Sequence, residues 1–564
     1  MLLCFVAWTL NGVCMITETP AQEHPVPEHP VPEHPVPEHP VPEHPVPETP
    51  AQETPAQETP AQETTLELPK GYLAVGTDKV AAIDQLCQAT AETGLFSGAV
   101  LVAKDGQVLY ENAFGMANQE WQVPNTVETK FRLASVSKQF CSMLVMQLVQ
   151  EGRLSLDDSI SDHLTYYRKD SGDQITIHHL LAHQSGLPDF TASFDYRSKL
   201  SRLSFPPDEF IQQYCSGDLQ HEPGTIYSYC NAGYCILGRI IEKVTGKSFG
   251  RQLQERILDP VGMANTGLDR NEAILQHRAS GYTRGAFGLE NADYISMATT
   301  PGPAGGMYST VGDMFLWDRA LTTDKLLNKQ YRDLMFTPNS QVPEVKAAGG
   351  RARSIYGYGW QITTRTHPVT KRRSKVISHG GAINGFRAME YRLVDDDAFV
   401  IVLCNQGDPV GAADVWRSVT RLSAELTAIV NDQPYRLPAK PGLSQNQRLL
   451  RLVQSEGLEA ALQWFDERGK PAAWGGTFLL LAERLIADGD VETGLRLLEE
   501  DLARTPSKVW MVRKTAQAFL DNGRYAKALQ YAEQGLQQRP HDERFLDIAS
   551  EASRRIKPLA PVSQ

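Results

Sequence analysis

Regular alternation of apolar and polar positions begins near residue 70. Val80–Thr93 places apolar side chains at helical spacing and predicts an amphipathic helix. Ser97–Gly115 alternates instead, with Ala99, Leu101 and Ala103 before Asp105-Gly106 and Val108-Leu109-Tyr110 after it, which predicts a hairpin. In the run Gln139–Gly152, apolar residues stand at 140, 141, 143 to 146, 148 and 149. They surround the axis, so this helix belongs in a core, and Gly152 suits its C-terminal stop. Further helices are predicted over Tyr234–Val244, around Trp317 and over Asp414–Ile429. Strands are predicted from Tyr356 to Trp360 onward, over Phe386–Val394 and over Ala398–Cys404, the last two joined by three aspartates. Strands at both ends with helices between them predict an antiparallel sheet built from both termini, interrupted by a helical insertion.

After Pro441 the pattern is helical only. Gly489 and Gly523 lie 34 residues apart, as do Pro506 and Pro540, and Ala482/Ala516, Leu495/Leu529 and Leu502/Leu536 keep the same register. Gly457–Leu462 resembles an earlier, shortened copy. Paired helices at this period resemble tetratricopeptide repeats and predict about three hairpins, docked on the preceding domain. They would serve as a groove for a peptide or protein partner, or as a passive stabilising appendage.

Composition alters this picture mainly at the N-terminus. Residues 1–17 are apolar but short, are interrupted by Asn11 and Gly12, and contain no basic side chain, since Lys70 is the first. They are a candidate export signal. Cys14 is a weak candidate for lipid attachment because bulky Val13 precedes it. Residues 18–62 are nine pentapeptides, ETPAQ once, EHPVP five times and ETPAQ three times. Proline at every fifth position removes amide donors and predicts an extended, solvated spacer, whose histidines are expected to be solvated, not metal ligands. The first 63 residues hold ten glutamates; removing them takes the formal net charge from −12 to −2. The remainder is nearly neutral and gives no reason to expect a nucleic-acid partner. The eight cysteines show no metal-ligand spacing, and those in apolar stretches, such as Cys141, Cys235 and Cys404, are expected as buried thiols.

Candidate chemistry begins at Ser135-Val136-Ser137-Lys138, immediately before the buried helix. Three residues apart on a helix, a hydroxyl and an amine become neighbours, and a dry site lowers the lysine enough to act as a base. Two fixed residues recur by chance in a chain this long, so the tetrad needs support. Tyr229-Cys230-Asn231 offers a phenol to shuttle a proton and an amide to hold Lys138 or a substrate carbonyl. His379-Gly380-Gly381-Ala382 offers a strand edge almost without side chains, whose Ala382 N–H could join that of Ser135 in an oxyanion hole. His179 and His183 have a zinc-like spacing, but Leu180 stands where a zinc hydrolase carries glutamate, so no metal is expected. Gly246-Lys247-Ser248-Phe249-Gly250 matches a nucleophile elbow, yet what precedes it has helical spacing, so a helix–helix turn is expected.

Phe131–Lys138, Ile175–Leu187, Pro223–Gly238, Gly305–Asp313 and His379–Gly385 together resemble, in order, the motifs of class C β-lactamase-like serine hydrolases. That superfamily includes D,D-peptidases, D-aminopeptidases and esterases, and the resemblance covers about residues 75–430. It implies an α/β (α+β) β-lactamase/D,D-peptidase-like fold, with an antiparallel sheet flanked by helices and a helical subdomain. By the same resemblance Ser135 is the nucleophile, Lys138 and Tyr229 are the acid/base pair, Asn231 positions, and Ser135 and Ala382 form the oxyanion hole beside Gly380 and Gly381. Which of Lys138 and Tyr229 takes the first proton stays open. His379 replaces the Lys-Thr-Gly lysine of true β-lactamases, which removes a fixed positive charge and points toward the aminopeptidase and esterase branches. Cys230 fills the middle of Tyr-x-Asn, where a small thiol should have little effect.

The expected organisation is a signal segment at 1–17, a linker at 18–69, a hydrolase domain at 70–435 and helical repeats at 442–556. The expected activity is cofactor-free hydrolysis of amide bonds through an acyl-enzyme, by a D-residue-tolerant carboxypeptidase or aminopeptidase. The alternatives are a carboxylesterase and an inert binding protein. Small-molecule or peptide substrates are expected, with protein partners only through the repeats, membrane contact only through the N-terminus, and export to the envelope or beyond.

Overall fold

A computed structural model describes residues 68–556, apart from 194, 197–198, 298–301, 339–345, 348–354, 410–412, 440–441 and 471–475. The apolar opening segment and the pentapeptide spacer lie outside the described residues. Asp105 and Gly106, both left-handed at φ 52° and 72°, turn β1 (Gly98–Lys104) back into β2 (Gln107–Phe114). The later strands are β3 (Ile355–Tyr356), β4 (Gln361–Thr366), β5 (Arg373–Ile383), β6 (Phe386–Leu393) and β7 (Ala398–Cys404). They complete a seven-stranded sheet in the order β3-β4-β5-β6-β7-β1-β2. Every pairing is antiparallel, and β1 closes onto β7 with Val100 opposite Val402. The sheet is therefore assembled from both ends of the domain. The strand predicted to begin at Tyr356 is instead two strands, with the Gly357 N–H donating to the Trp360 carbonyl across the turn.

Alternation identified only one face of β1. Ala99, Leu101 and Ala103 pack into a core shared with Phe140, Leu144 and Trp317. Val100 and Val102 are equally buried on the other face, against Ile83 of α1 (Lys79–Glu92) and Leu422 and Leu426 of α4 (Asp414–Val430). Helices on both faces remove the polar half of the pattern. In α2 (Lys138–Gln150) every residue from Lys138 to Leu148 is buried, with Phe140 stacked on Trp317 at 4.3 Å between centroids, and Gly152 follows its end at φ 67°.

The helix predicted from Tyr234 starts three residues earlier, as α3 (Asn231–Thr245), and Gly246 stops it in the left-handed region. Ser248 then caps Phe249–Leu253 by accepting from the Arg251 N–H. Helices on both sides make the Gly-x-Ser-x-Gly match a helix–helix turn.

The C-terminal helices pair as Gln445–Glu456 with Leu458–Arg468, Leu479–Ala487 with Val491–Arg504, and Val509–Asp521 with Tyr525–Gln538, and Glu543–Ile556 follows. Gly489 and Gly523 occupy the same turn in two successive hairpins at φ 95° and 71°, and Ala482 and Ala516 are both fully buried. A third apolar core runs through these helices, and Phe287, at the tip of the ribbon formed by Tyr282–Arg284 and Leu289–Asn291, packs against it. Arg484 lies over the Phe287 ring, and Ser444 Oγ donates to the Ala286 carbonyl.

Candidate active site

Ser135 sits in a 3-10 turn, Ala134–Ser137, that runs directly into α2. From Leu133 to Leu148, Ser135 is the one residue that is not fully buried. Several bonds fix this turn. Phe131 and Arg132 pair with Ser309 and Tyr308, the Leu133 N–H donates to the Met307 carbonyl at 2.8 Å, and the Met307 N–H donates to Ser137 Oγ at 3.1 Å. Ala134 is held at φ 48°, a left-handed conformation costing a non-glycine residue about 1–2 kcal/mol. The strain lies immediately before the partly buried hydroxyl.

Lys138 is completely buried, and its Nζ donates to Asn231 Oδ1 at 2.8 Å and to the Ala304 carbonyl at 2.7 Å, and lies 3.3 Å from Ser135 Oγ. Burial lowers the ammonium from 10.5 to about 8, against a small opposing effect of Asp189 and nearby thiols. The Asn231 amide is oriented by its other end, since Nδ2 donates to the Asp189 carboxylate at 3.2 Å and to Thr191 Oγ1 at 3.2 Å. Its oxygen must therefore face Lys138. The Tyr229 ring lies 4.9 Å from Nζ, and its phenol interacts with Ser135 while burial pushes it well above its ordinary value.

His379 is buried on β5 opposite Glu390 of β6. Its Nδ1 bonds its neighbour's Gly380 carbonyl at 2.8 Å, so that nitrogen carries the proton and Nε2 accepts from the Tyr356 hydroxyl at 2.8 Å. Burial, reinforced by Lys138, lowers the imidazole to about 3. It is a neutral side chain with both nitrogens engaged. β4 pairs with β5 only as far as Ser378, so from His379 to Ile383 the strand has a neighbour on one side among the described residues. The glycines there serve the protein's own packing. A β-carbon on Gly381 would collide with the Leu133 carbonyl, and one on Gly380 with the Trp416 ring. Bare backbone is what lets β5, with Ala382, lie against the Ser135 turn.

Ser135, Lys138, Tyr229, Asn231 and His379 thus come together from three separate segments. Sequence reasoning missed Asp189, Tyr356 and the Ala304 carbonyl, none of which carries a motif signal. It considered His183 only as a metal ligand. His179 and His183 in fact serve different sites, as Nδ1 of His179 accepts from the Thr176 N–H in a helix cap while His183 turns into the tyrosine cluster around Lys138. Cys230 is buried, with its thiol 3.7 Å from the Pro188 carbonyl.

A fold with a seven-stranded antiparallel sheet and a serine–lysine–tyrosine centre at the head of a buried helix defines a class. The family model described as Beta-lactamase matches residues 82–425, more than half of the chain, and the chain belongs to that family. It is a β-lactamase-related serine hydrolase. It is 27% identical over 374 residues to penicillin-binding protein 4* of Bacillus subtilis (strain 168), covering 64% of this chain and 78% of that protein. The crystal structure of a penicillin-binding protein from Bacillus halodurans matches with TM-score 0.51 and 27% identity, over 60% of this chain and 98% of that one. D-amino acid amidase from Ochrobactrum anthropi SV3, in complex with L-phenylalanine amide, matches with TM-score 0.53 and 25% identity, over 62% and 98%.

Proposed function

We propose that the enzyme hydrolyses amide bonds through an acyl-enzyme on Ser135, with D-aminoacyl amides and short peptides as its substrate class. The observation that carries this is the environment of Lys138 Nζ. A neutral amine has two N–H bonds and one lone pair. Asn231 Oδ1 and the Ala304 carbonyl take the two N–H bonds, which leaves the lone pair for Ser135 Oγ. With its proton lost at about 8, Lys138 is the group closest to neutral pH, whereas burial keeps Tyr229 protonated. We therefore assign the first proton to Lys138. Ser135 Oγ attacks the carbonyl carbon as its proton moves to Nζ, and the oxygen charge falls to the N–H groups of Ser135 and Ala382. Tyr229 passes a proton to the departing amine and regains one from Lys138. Water then repeats the sequence on the ester.

His379 supports the substrate class. A neutral imidazole already bonded at both nitrogens supplies no cation for a free carboxylate next to the scissile bond. β-Lactams and carboxypeptidase substrates carry such a carboxylate; aminoacyl amides do not. Similarity to D-amino acid amidase favours the same class. Carboxylesters also lack the charge, and ester hydrolysis is the second reading. We further assign residues 70–435 to the hydrolase and 442–556 to a helical-repeat unit that could take a peptide or protein, with the enzyme exported to the envelope side.

The test is turnover of D- and L-phenylalanine amide, a D-alanyl-D-alanine peptide, a p-nitrophenyl ester and benzylpenicillin by the purified protein. The expected result is fastest turnover of the D-amide, poor turnover of penicillin, and loss of all turnover in Ser135→Ala. Full activity in Ser135→Ala would overturn the mechanism. Rapid penicillin turnover would overturn the argument from His379.

A further inference from the structure

His183 lies inside the Ile175–Leu187 motif, and the mechanism above does not use it. It is buried and held at φ 57°, a left-handed backbone that is uncommon for a residue other than glycine. Three contacts converge from it on one residue. The His183 carbonyl accepts from the Ser228 N–H at 2.8 Å, and its Nδ1 accepts from the Cys230 N–H at 3.2 Å. These are the two amides that flank Tyr229. The imidazole also packs against the Tyr229 ring, tilted by 41° with centroids 4.2 Å apart.

Accepting at Nδ1 places the ring proton on Nε2, which is buried without a hydrogen-bond partner among the described residues, next to Tyr234 and Tyr356. An unpaired buried N–H is unfavourable, and a phenylalanine would fill the same volume without it. The feature that phenylalanine lacks is the Nδ1 acceptor. We propose that His183 is the positioning residue for Tyr229, holding the phenol against Ser135 by bracketing its backbone from both sides. This rests on the assignment of Tyr229 to proton transfer.

The chemistry it serves is sensitive to small displacements, since a shift of about 1 Å in a proton-transfer group lowers turnover by roughly 100-fold. Asparagine carries its amide oxygen where histidine carries Nδ1 and can accept from the same N–H. His183→Asn should therefore keep kcat within about 5-fold of the wild type, while His183→Phe, which keeps an aromatic ring but removes the acceptor, should lower kcat by roughly 100-fold with KM unchanged. In a Tyr229→Phe background the His183→Phe change should cost less than about 3-fold more, because its effect passes through the missing phenol. Equal losses in the two His183 variants, or an effect of His183→Phe undiminished in the Tyr229→Phe background, would overturn the proposal. If His183→Phe does not fold, His183→Leu replaces it in the same cycle. Wild-type turnover that depends on Ser135 but is unaffected by Tyr229→Phe would instead remove the underlying assignment of Tyr229.

Discussion

As the proposed base, Lys138 would link catalysis to stability. Folded, it protonates at about 8; in water, at 10.5. Between those values the unfolded chain holds one proton more than the folded chain, so raising the pH favours folding by about 1.4 kcal/mol per unit. The stability of the wild type relative to Lys138→Met should rise across pH 8 to 10.5 by about that slope, measured by denaturant titration at each pH. Below pH 8 the buried ammonium is a standing penalty. On the same grounds kcat/KM should increase about tenfold per unit as pH approaches 8 from below and then level off. A profile that instead declines through that pH would show that the charged amine is the active form. His379, neutral down to about 3, contributes no step to either curve near neutral pH.

At the level of elements, the centre depends on how closely β5 approaches the turn before α2. That approach is set by Gly381 against the Leu133 carbonyl. Gly381→Ala should push the strand away from Ser135, lowering stability by about 1–3 kcal/mol and kcat by roughly 100-fold. Thermal melts and steady-state kinetics on the same sample would check both, and an unchanged kcat would show that the strand tolerates displacement. The helix carrying Lys138 was legible in sequence because its apolar residues surround the axis. The close approach of the strand carrying His379 was not legible, since glycines needed for close packing look the same in sequence as glycines left clear for a substrate.

At the scale of the whole molecule, the described residues form three apolar cores, two against the sheet and one inside the helical tail. Among the described residues, Phe287 is the apolar side chain from before the tail that joins the tail's core. Removing it deletes a half-buried aromatic contact and its cation–π partner Arg484. Phe287→Ala should lower the melting transition of the tail by several degrees and leave that of the hydrolase core in place, as scanning calorimetry would resolve. A common shift of both transitions would show that tail and hydrolase melt as one unit.

Sequence alone was enough for the two-ended sheet, the buried helix and the 34-residue period, and it singled out a serine, lysine, tyrosine and asparagine that the structure places side by side. These are local signals: period, turn chemistry and spacing within one segment. The tertiary structure decided the rest. It gave His379 partners at both ring nitrogens, set Asp189 behind Asn231, and brought His183 against Tyr229. Those relations join residues tens of positions apart. Protonation and orientation depend on what burial places next to a side chain, and no periodicity along a chain records that.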